Sequence, residues 1–75
     1  MHAYGNRSGH AGVVAYDSGP DWIVLRFADG ATYRYDRQHP GLLQVMEMQR
    51  LAAAGRGLTT YLNQHVRDDY AARLD

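Results

Sequence analysis

The sequence predicts an α+β domain, in which a three-stranded antiparallel β-meander is followed by two α-helices packed on one face of the sheet. Apolar and polar residues alternate along residues 22–27 and 31–36, as strands with one buried face require. An Asp-Gly pair joins these two segments, and residues 58–68 carry an apolar stripe at the helical period. These observations together indicate a hairpin covered by helices.

Length and composition limit the chain to one small domain with a thin core, since it has only 75 residues. We place the domain at residues 12–70, between a flexible leader at residues 1–11 and a tail at residues 71–75.

There is no cysteine, which excludes disulfides, thiolate zinc sites and a cysteine nucleophile. No apolar run reaches the roughly 18–20 residues of a membrane span, and residues 1–10 lack the apolar centre of a signal peptide. We therefore expect a cytoplasmic location and no membrane partner.

The net charge is zero, because eight arginines and no lysine face seven aspartates and one glutamate. A neutral balance is not the footprint of a strong nucleic-acid binder. Arginine presents paired donors that suit bidentate contacts to phosphate or carboxylate. Biased codon usage is the simpler explanation of the all-arginine set.

The strands follow from alternation and turn chemistry. Residues 12–17 form the first strand and end in the turn cluster of residues 17–21, whose Gly and Pro cannot continue it. Asp29-Gly30 predicts a two-residue type I′ hairpin between the second and third strands. Alternation along the third strand places Tyr33 and Tyr35 on the core face and Arg34 on the other, because a slip of one residue would bury Arg34. The second strand then has Ile23, Leu25 and Phe27 on the core face and Trp22, Val24 and Arg26 on the opposite face.

The first helix is predicted from about Pro40 to Ala54, with Pro40 in the first turn and Gly55 as the C-terminal cap. Its apolar residues cover most of the circumference, which is too apolar for a one-sided surface helix. Either it is sandwiched between the sheet and the second helix, or part of it is a self-association surface. The second helix, roughly Leu58 to Asp68, has one apolar stripe and one polar face.

The sequence contains few of the residue combinations that catalysis requires. The chain has two serines in flexible contexts and no histidine with a carboxylate partner at motif spacing. The four histidines do not form a metal-ligand spacing. We therefore expect no enzyme, no catalytic residue, no metal site and no cofactor.

Three candidate binding features remain. Gly55-Arg56-Gly57 either meets a phosphate at the start of the second helix or forms a tight turn between helices. The outer sheet face brings Trp22, Arg26, Thr32 and Arg34 together, a combination suited to base stacking or simply to covering an exposed sheet. The polar side of the second helix offers Arg56, Asn63 and Arg67. The helix-interior Asn63 is explained either by a structural hydrogen bond or by a ligand.

Short aromatic motifs also recur in a characteristic order. They are Val14-Ala15-Tyr16-Asp17, the strand with Ile23, Leu25 and Phe27, Gly30, Tyr33-Arg34-Tyr35, Pro40, Gly57, and Tyr61-Leu62-Asn63-Gln64-His65-Val66-Arg67 with Tyr70. Over about residues 11–70 the chain resembles the KTSC domain, a family named for a region at the C-terminus of some lysyl-tRNA synthetases. The resemblance implies a three-strand meander with helices on one face.

The resemblance also implies a function, which is binding of RNA or other single-stranded nucleic acid without catalysis. By position, the aromatic pair of the family falls on Tyr33 and Tyr35, and its second motif falls on Tyr61, Asn63, Val66 and Arg67. We expect weak binding through Arg56, Asn63 and Arg67, joined by Arg26, Arg34 and Trp22. The alternative is a protein-interaction module that forms a homodimer or docks a partner protein through the apolar first helix.

Overall fold

A computed structural model describes residues 1–5, 12–66 and 68–75. It confirms the α+β class, with one antiparallel sheet in the order β1-β2-β3-β4-β5 and two helices. The sheet has five strands rather than three. The elements are β1 His2–Ala3, β2 Val13–Ser18, β3 Trp22–Phe27, β4 Thr32–Asp36, α1 Leu42–Ala54, α2 Leu58–Tyr61, a π-helical turn Leu62–Val66, and β5 Ala72–Arg73.

The register between β3 and β4 is the one that the alternation predicts. Leu25 pairs with Tyr33, and Val24 pairs with Arg34. Leu25 is fully buried, whereas Arg26 beside it in the strand is exposed. Side chains of neighbouring strand residues point to opposite faces, so the sheet has a core face toward the helices and an outer face away from them.

The turn between β3 and β4 differs from the prediction. The N–H of Phe27 donates to the carbonyl of Ala31 at 2.8 Å, and the N–H of Gly30 donates to Phe27 at 2.9 Å. The connection is therefore a three-residue loop, not a two-residue type I′ turn. Gly30 has φ of 93°, a conformation that glycine adopts without the steric cost other residues meet, and the Asp29 carboxylate accepts a hydrogen bond from the Ala31 N–H.

The two added strands lie at the sheet edges and come from segments we expected to lie outside the domain. In β1, His2 pairs with Tyr16, so the leader prediction is wrong for the first residues; residues 6–11 lie outside the described part. In β5, Arg73 pairs with Tyr33, which makes part of the expected tail a strand. Such two-residue strands carry no periodicity, and long-range pairing alone creates them.

The first helix begins two residues later than predicted. Pro40 precedes it, and Gly41 next to it has φ of 129°, outside the helical region. Its end is as predicted, because Gly55 adopts the left-handed conformation and its N–H bonds back to Leu51 and Ala52.

The second helical segment is not a continuous α-helix to residue 68. It is α2, four residues long, followed by the π-helical turn. Leu58, Leu62 and Val66 are all buried, so the widened turn keeps this row of side chains on the sheet. Turns of this kind are rare and occur frequently at functional sites.

The core lies between the sheet and the helices. It is formed by Tyr4, Val13, Ile23, Leu25, Tyr35, Val45, Met48, Ala52, Leu58, Leu62 and Val66. Only one side of α1 takes part, since Leu43 is 79% exposed and Met46 is 54% exposed. One side of the first helix therefore packs in the core and the other stays exposed, and self-association through that side remains a prediction.

Candidate functional site

The structure places the predicted site residues that it describes on separate surfaces. Arg26 and Arg34 lie on the outer face of the sheet together with Trp22. Asn63 lies on the helix side, where it lines a cavity with residues of the core face. The outer-face residues and Asn63 therefore belong to separate candidate patches, which is how the sequence analysis grouped them. The reason is strand alternation, which turns Arg26 and Arg34 away from the helices, and Arg67 lies outside the described residues.

On the outer face, Trp22 and Arg34 form a cation–π contact. The Arg34 guanidinium carbon lies 5.2 Å from the centroid of the Trp22 ring, within the range where such contacts are attractive. Arg26 is exposed on the same face, opposite Thr32, two residues along the hairpin from the pair of Val24 and Arg34. The Gln49 side chain donates to the Trp22 carbonyl at 3.0 Å and so ties the start of β3 to α1. The aromatic-plus-arginine cluster is held on a rigid strand pair.

Acidic groups partly offset this positive charge. Arg34 lies 3.9 Å from the Asp36 carboxylate, measured from Nε. Desolvation raises the pKa of Asp36, but hydrogen bonds from the N–H groups of Gln38 and His39 and the charge of Arg34 together lower it below its ordinary value. Asp36 therefore stays ionised. A second carboxylate, that of Asp17, lies in the same row of the sheet as Arg34, because both residues pair with Val24. The outer face is weakly rather than strongly attractive to an anion.

The Gly55-Arg56-Gly57 segment is a tight turn between the helices. Gly55 and Gly57 both have positive φ, 79° and 85°. The first N–H of α2, that of Leu58, donates to the Tyr4 hydroxyl at 3.0 Å. A phosphate at this position would have to displace a buried hydrogen bond, so the turn interpretation is favoured and Arg56 remains as an exposed side chain beside it.

A cavity of about 550 Å³ lies between the core face, the π-helical turn and the segment after it. Its volume falls in the range of about 300–1,000 Å³ typical of small-molecule sites. Four aromatic side chains line it, together with one aliphatic, one amide and one carboxylate group. The lining residues are Phe27, Tyr33, Tyr35, Tyr70, Leu62, Asn63 and Asp68.

The aromatic rings of this cavity are in mutual contact. The Tyr33 and Tyr70 ring centroids are 4.5 Å apart with an interplanar angle of 43°. Phe27 meets Tyr33 edge-on at 5.7 Å, and Tyr35 meets Tyr70 edge-on at 6.5 Å. Tyr35 is 2% exposed and Tyr70 is 36% exposed. The rings thus run from the closed floor of the cavity to its open rim.

Among the described residues that line the cavity, Asp68 is the only one with a formal charge. Burial raises the pKa of Tyr35 well above its ordinary value, and the neighbouring Tyr33, Tyr70 and Asp68 raise it further. The Tyr35 phenol is therefore neutral at physiological pH. Arg73 lies beside the cavity with its guanidinium carbon 5.5 Å from the Tyr33 centroid, and the Asp75 carboxylate holds it at 2.9 Å.

Hydrogen bonds anchor the chain segment that carries Asp68 and Tyr70. The Ala71 N–H donates to the Arg34 carbonyl at 2.7 Å. His39 and Asp69 approach to 3.1 Å between Nδ1 and Oδ1. Sequence reasoning did not group Asp68 and Tyr70 with Phe27, because Tyr70 is the single aromatic residue among the final ten and no periodicity links it to the sheet.

Among the described residues, no group of three or more His, Asp or Glu side chains lies close enough together to hold a metal ion. Within the same residues, no helix has both the length and the apolar character needed to cross a bilayer. Comparison with known proteins gives no match: no family model, no curated protein and no solved structure is significantly similar to the chain.

Proposed function

We propose that this chain is a non-enzymatic cytoplasmic module that binds single-stranded RNA weakly through the outer face of its sheet. The observation that carries the proposal is the contact of Arg34 with Trp22, 5.2 Å from guanidinium carbon to ring centroid, next to the exposed Arg26. The resemblance to the KTSC domain supports the same class of partner.

The chemistry of this face fits a flexible single strand. Bases unstacked from their neighbours stack on aromatic rings and on guanidinium planes, and Trp22 and Arg34 offer one of each. Arg26 supplies a further cation for a phosphate. Because Asp36 and Asp17 lie nearby, the attraction is small, and no sequence preference is expected.

Neutralising the outer face should abolish most of the binding. We expect the double substitution Arg26→Gln and Arg34→Gln to weaken binding of a single-stranded RNA and to flatten its salt dependence. The slope of log binding constant against log salt should become less negative by about 0.7 for each phosphate that the variant no longer neutralises. Fluorescence anisotropy of a labelled oligonucleotide at several salt concentrations measures this slope.

Two matched controls make the result specific. Arg50→Gln changes the charge by the same amount as either single substitution, on an arginine that is ion-paired to Glu47 on α1, and should leave the slope unchanged. Arg56→Gln tests the helix side. If Arg56→Gln weakens binding and the outer-face double variant does not, the outer face is not the site, and a wild-type chain that binds no RNA at low salt refutes the function itself.

A second candidate function, self-association through α1, is favoured by three exposed apolar side chains on that helix. Leu42, Leu43 and Met46 are 38%, 79% and 54% exposed. Stable interfaces use about 20–30 residues a side, so three anchors imply a weak homodimer seen only at high concentration.

Self-association should depend on these anchors. We expect the wild-type chain to show a rising average mass in light scattering as its concentration increases, and Leu43→Gln with Met46→Gln to stay monomeric. Thr60→Gln, at an exposed polar position of α2, is the control and should associate like the wild type. A wild-type monomer at every concentration would rule out self-association.

A further inference from the structure

The aromatic cavity on the helix side is not used by the proposed RNA site, which lies on the opposite face of the sheet. Its walls combine three phenol rings and a phenylalanine with one carboxylate. None of the described residues that line it is Arg, Lys or His. A site of this composition disfavours anions such as phosphate and attracts cations, because the faces of aromatic rings are electron-rich.

We propose that this cavity binds the head group of an organic cation, a quaternary or methylated ammonium, against the wall formed by the Tyr33 and Tyr70 rings, with Asp68 as the counter-ion. Aromatic rings recognise such a group because it is large, weakly hydrated and positively charged. Ordinary hydrogen bonding cannot select it, since a quaternary nitrogen has no N–H.

Ring geometry supports the proposal. Tyr33 and Tyr70 are inclined at 43° and Tyr35 is nearly perpendicular to Tyr70, at 87°. These rings touch one another, at centroid distances of 4.5 Å and 6.5 Å, so they form one aromatic wall of the cavity, and a head group would lie against this wall. Leu62 adds apolar contact for methyl groups.

A cation already occupies one ring of this cluster from outside. The Arg73 guanidinium lies 5.5 Å from the Tyr33 centroid, and its charge is balanced by Asp75 at 2.9 Å. Asp68 takes part in none of the ion pairs between described residues. The cavity therefore keeps an acidic group that can balance the charge of a ligand.

The volume of about 550 Å³ exceeds that of a trimethylammonium head and leaves room for the chain attached to it. Two sources carry the same chemistry. One is a free choline-like compound, and the other is a methylated lysine side chain of a protein. Both would enter head-first past Tyr70, which is 36% exposed and forms part of the rim.

The test is a titration of the full chain followed by amide NMR, with choline as the probe and its neutral isostere 3,3-dimethylbutan-1-ol as the matched control. We expect choline at millimolar concentrations to shift the resonances of Asp68, Tyr70 and Asn63, and the isostere to bind at least about twofold more weakly, the smallest effect expected of one cation–π contact. Equal binding of the two compounds, or no shift with choline, overturns the proposal.

Variants separate the charge from the rings. Asp68→Asn should weaken choline several-fold, whereas Asp21→Asn, an equal charge change at the far end of β3, should not. Tyr70→Leu should weaken it about 2- to 30-fold and Tyr70→Phe should retain it, since only the ring is needed. Arg67→Gln, which removes a positive charge next to Asp68 in the sequence, should not weaken binding. An Asp68→Asn chain that is folded and binds choline normally would also refute the proposal.

Peptide arms identify the source of the cation. A short peptide with trimethyllysine is compared with the same peptide carrying unmodified lysine and with free choline. Tighter binding of the methylated peptide than of choline assigns the site to a protein partner, and binding of choline alone assigns it to a free compound. Preference for unmodified lysine would contradict recognition by aromatic rings, because that ammonium is small and strongly hydrated.

Discussion

Replacing Tyr4 by alanine is expected to lower the free energy of unfolding by about 3–5 kcal/mol, the usual cost of truncating a buried aromatic residue. Tyr4 is 7% exposed and belongs to the core cluster. Its hydroxyl also accepts a hydrogen bond from the N–H of Leu58, 54 residues away. A domain of this length has a total stability of about 4–11 kcal/mol, so the variant should be partly unfolded at 25 °C. Urea denaturation followed by tryptophan fluorescence measures the loss.

Two further variants divide the effect of Tyr4 into its parts. Tyr4→Phe keeps the ring but leaves the Leu58 N–H buried without its partner, which costs about 1–3 kcal/mol. His2→Ala, at an exposed position of β1 two residues before Tyr4, should change stability by about 0.5 kcal/mol or less. If Tyr4→Ala costs no more than His2→Ala, the first five residues are not part of the cooperative fold.

The predicted domain boundary at residue 12 excludes Tyr4, because the segment around Tyr4 carries no local signal of structure. Strand β1 is two residues long, too short for any alternation to show. The polar residues around it are typical of a loose terminus. What fixes the segment is its pairing with Val13–Ser18 and the contact of Tyr4 with Leu58, and neither is encoded locally.

The central hairpin, in contrast, could be predicted because its signals are local. Alternation fixed the face of each residue from Trp22 to Tyr35, and the structure confirms that register. The loop itself was assigned one residue too short, because Asp-Gly also suits a three-residue loop in which only the glycine needs positive φ. The three-residue loop agrees with the alternation, because it places Leu25 opposite Tyr33, and β3 and β4 each bury one face.

The two candidate surfaces also differ in whether local sequence signals predict them. The outer cluster of Trp22, Arg26 and Arg34 follows from the strand pattern alone. The aromatic cavity does not, because it needs Asp68 and Tyr70 to return to the sheet after the π-helical turn. That return depends on backbone bonds such as Ala71 to Arg34, which no periodicity indicates.

Leu25 provides the second large expected effect, and it tests the face assignment on which both surfaces depend. Leu25 is fully buried in the central strand, between Tyr16 of β2 and Tyr33 of β4. Leu25→Ala should lower the free energy of unfolding by about 2–5 kcal/mol, because the transfer energy is lost and a cavity remains between paired strands that cannot collapse freely.

The same substitution at Leu43 is the matched control for Leu25→Ala. Leu43 is 79% exposed on α1, so Leu43→Ala should change the free energy of unfolding by about 0.5 kcal/mol or less. Urea midpoints at a low protein concentration keep self-association out of the comparison. Equal costs at the two positions would mean that β3 does not bury this face, and Arg26 and Arg34 would then no longer be assigned to the outer side of the sheet.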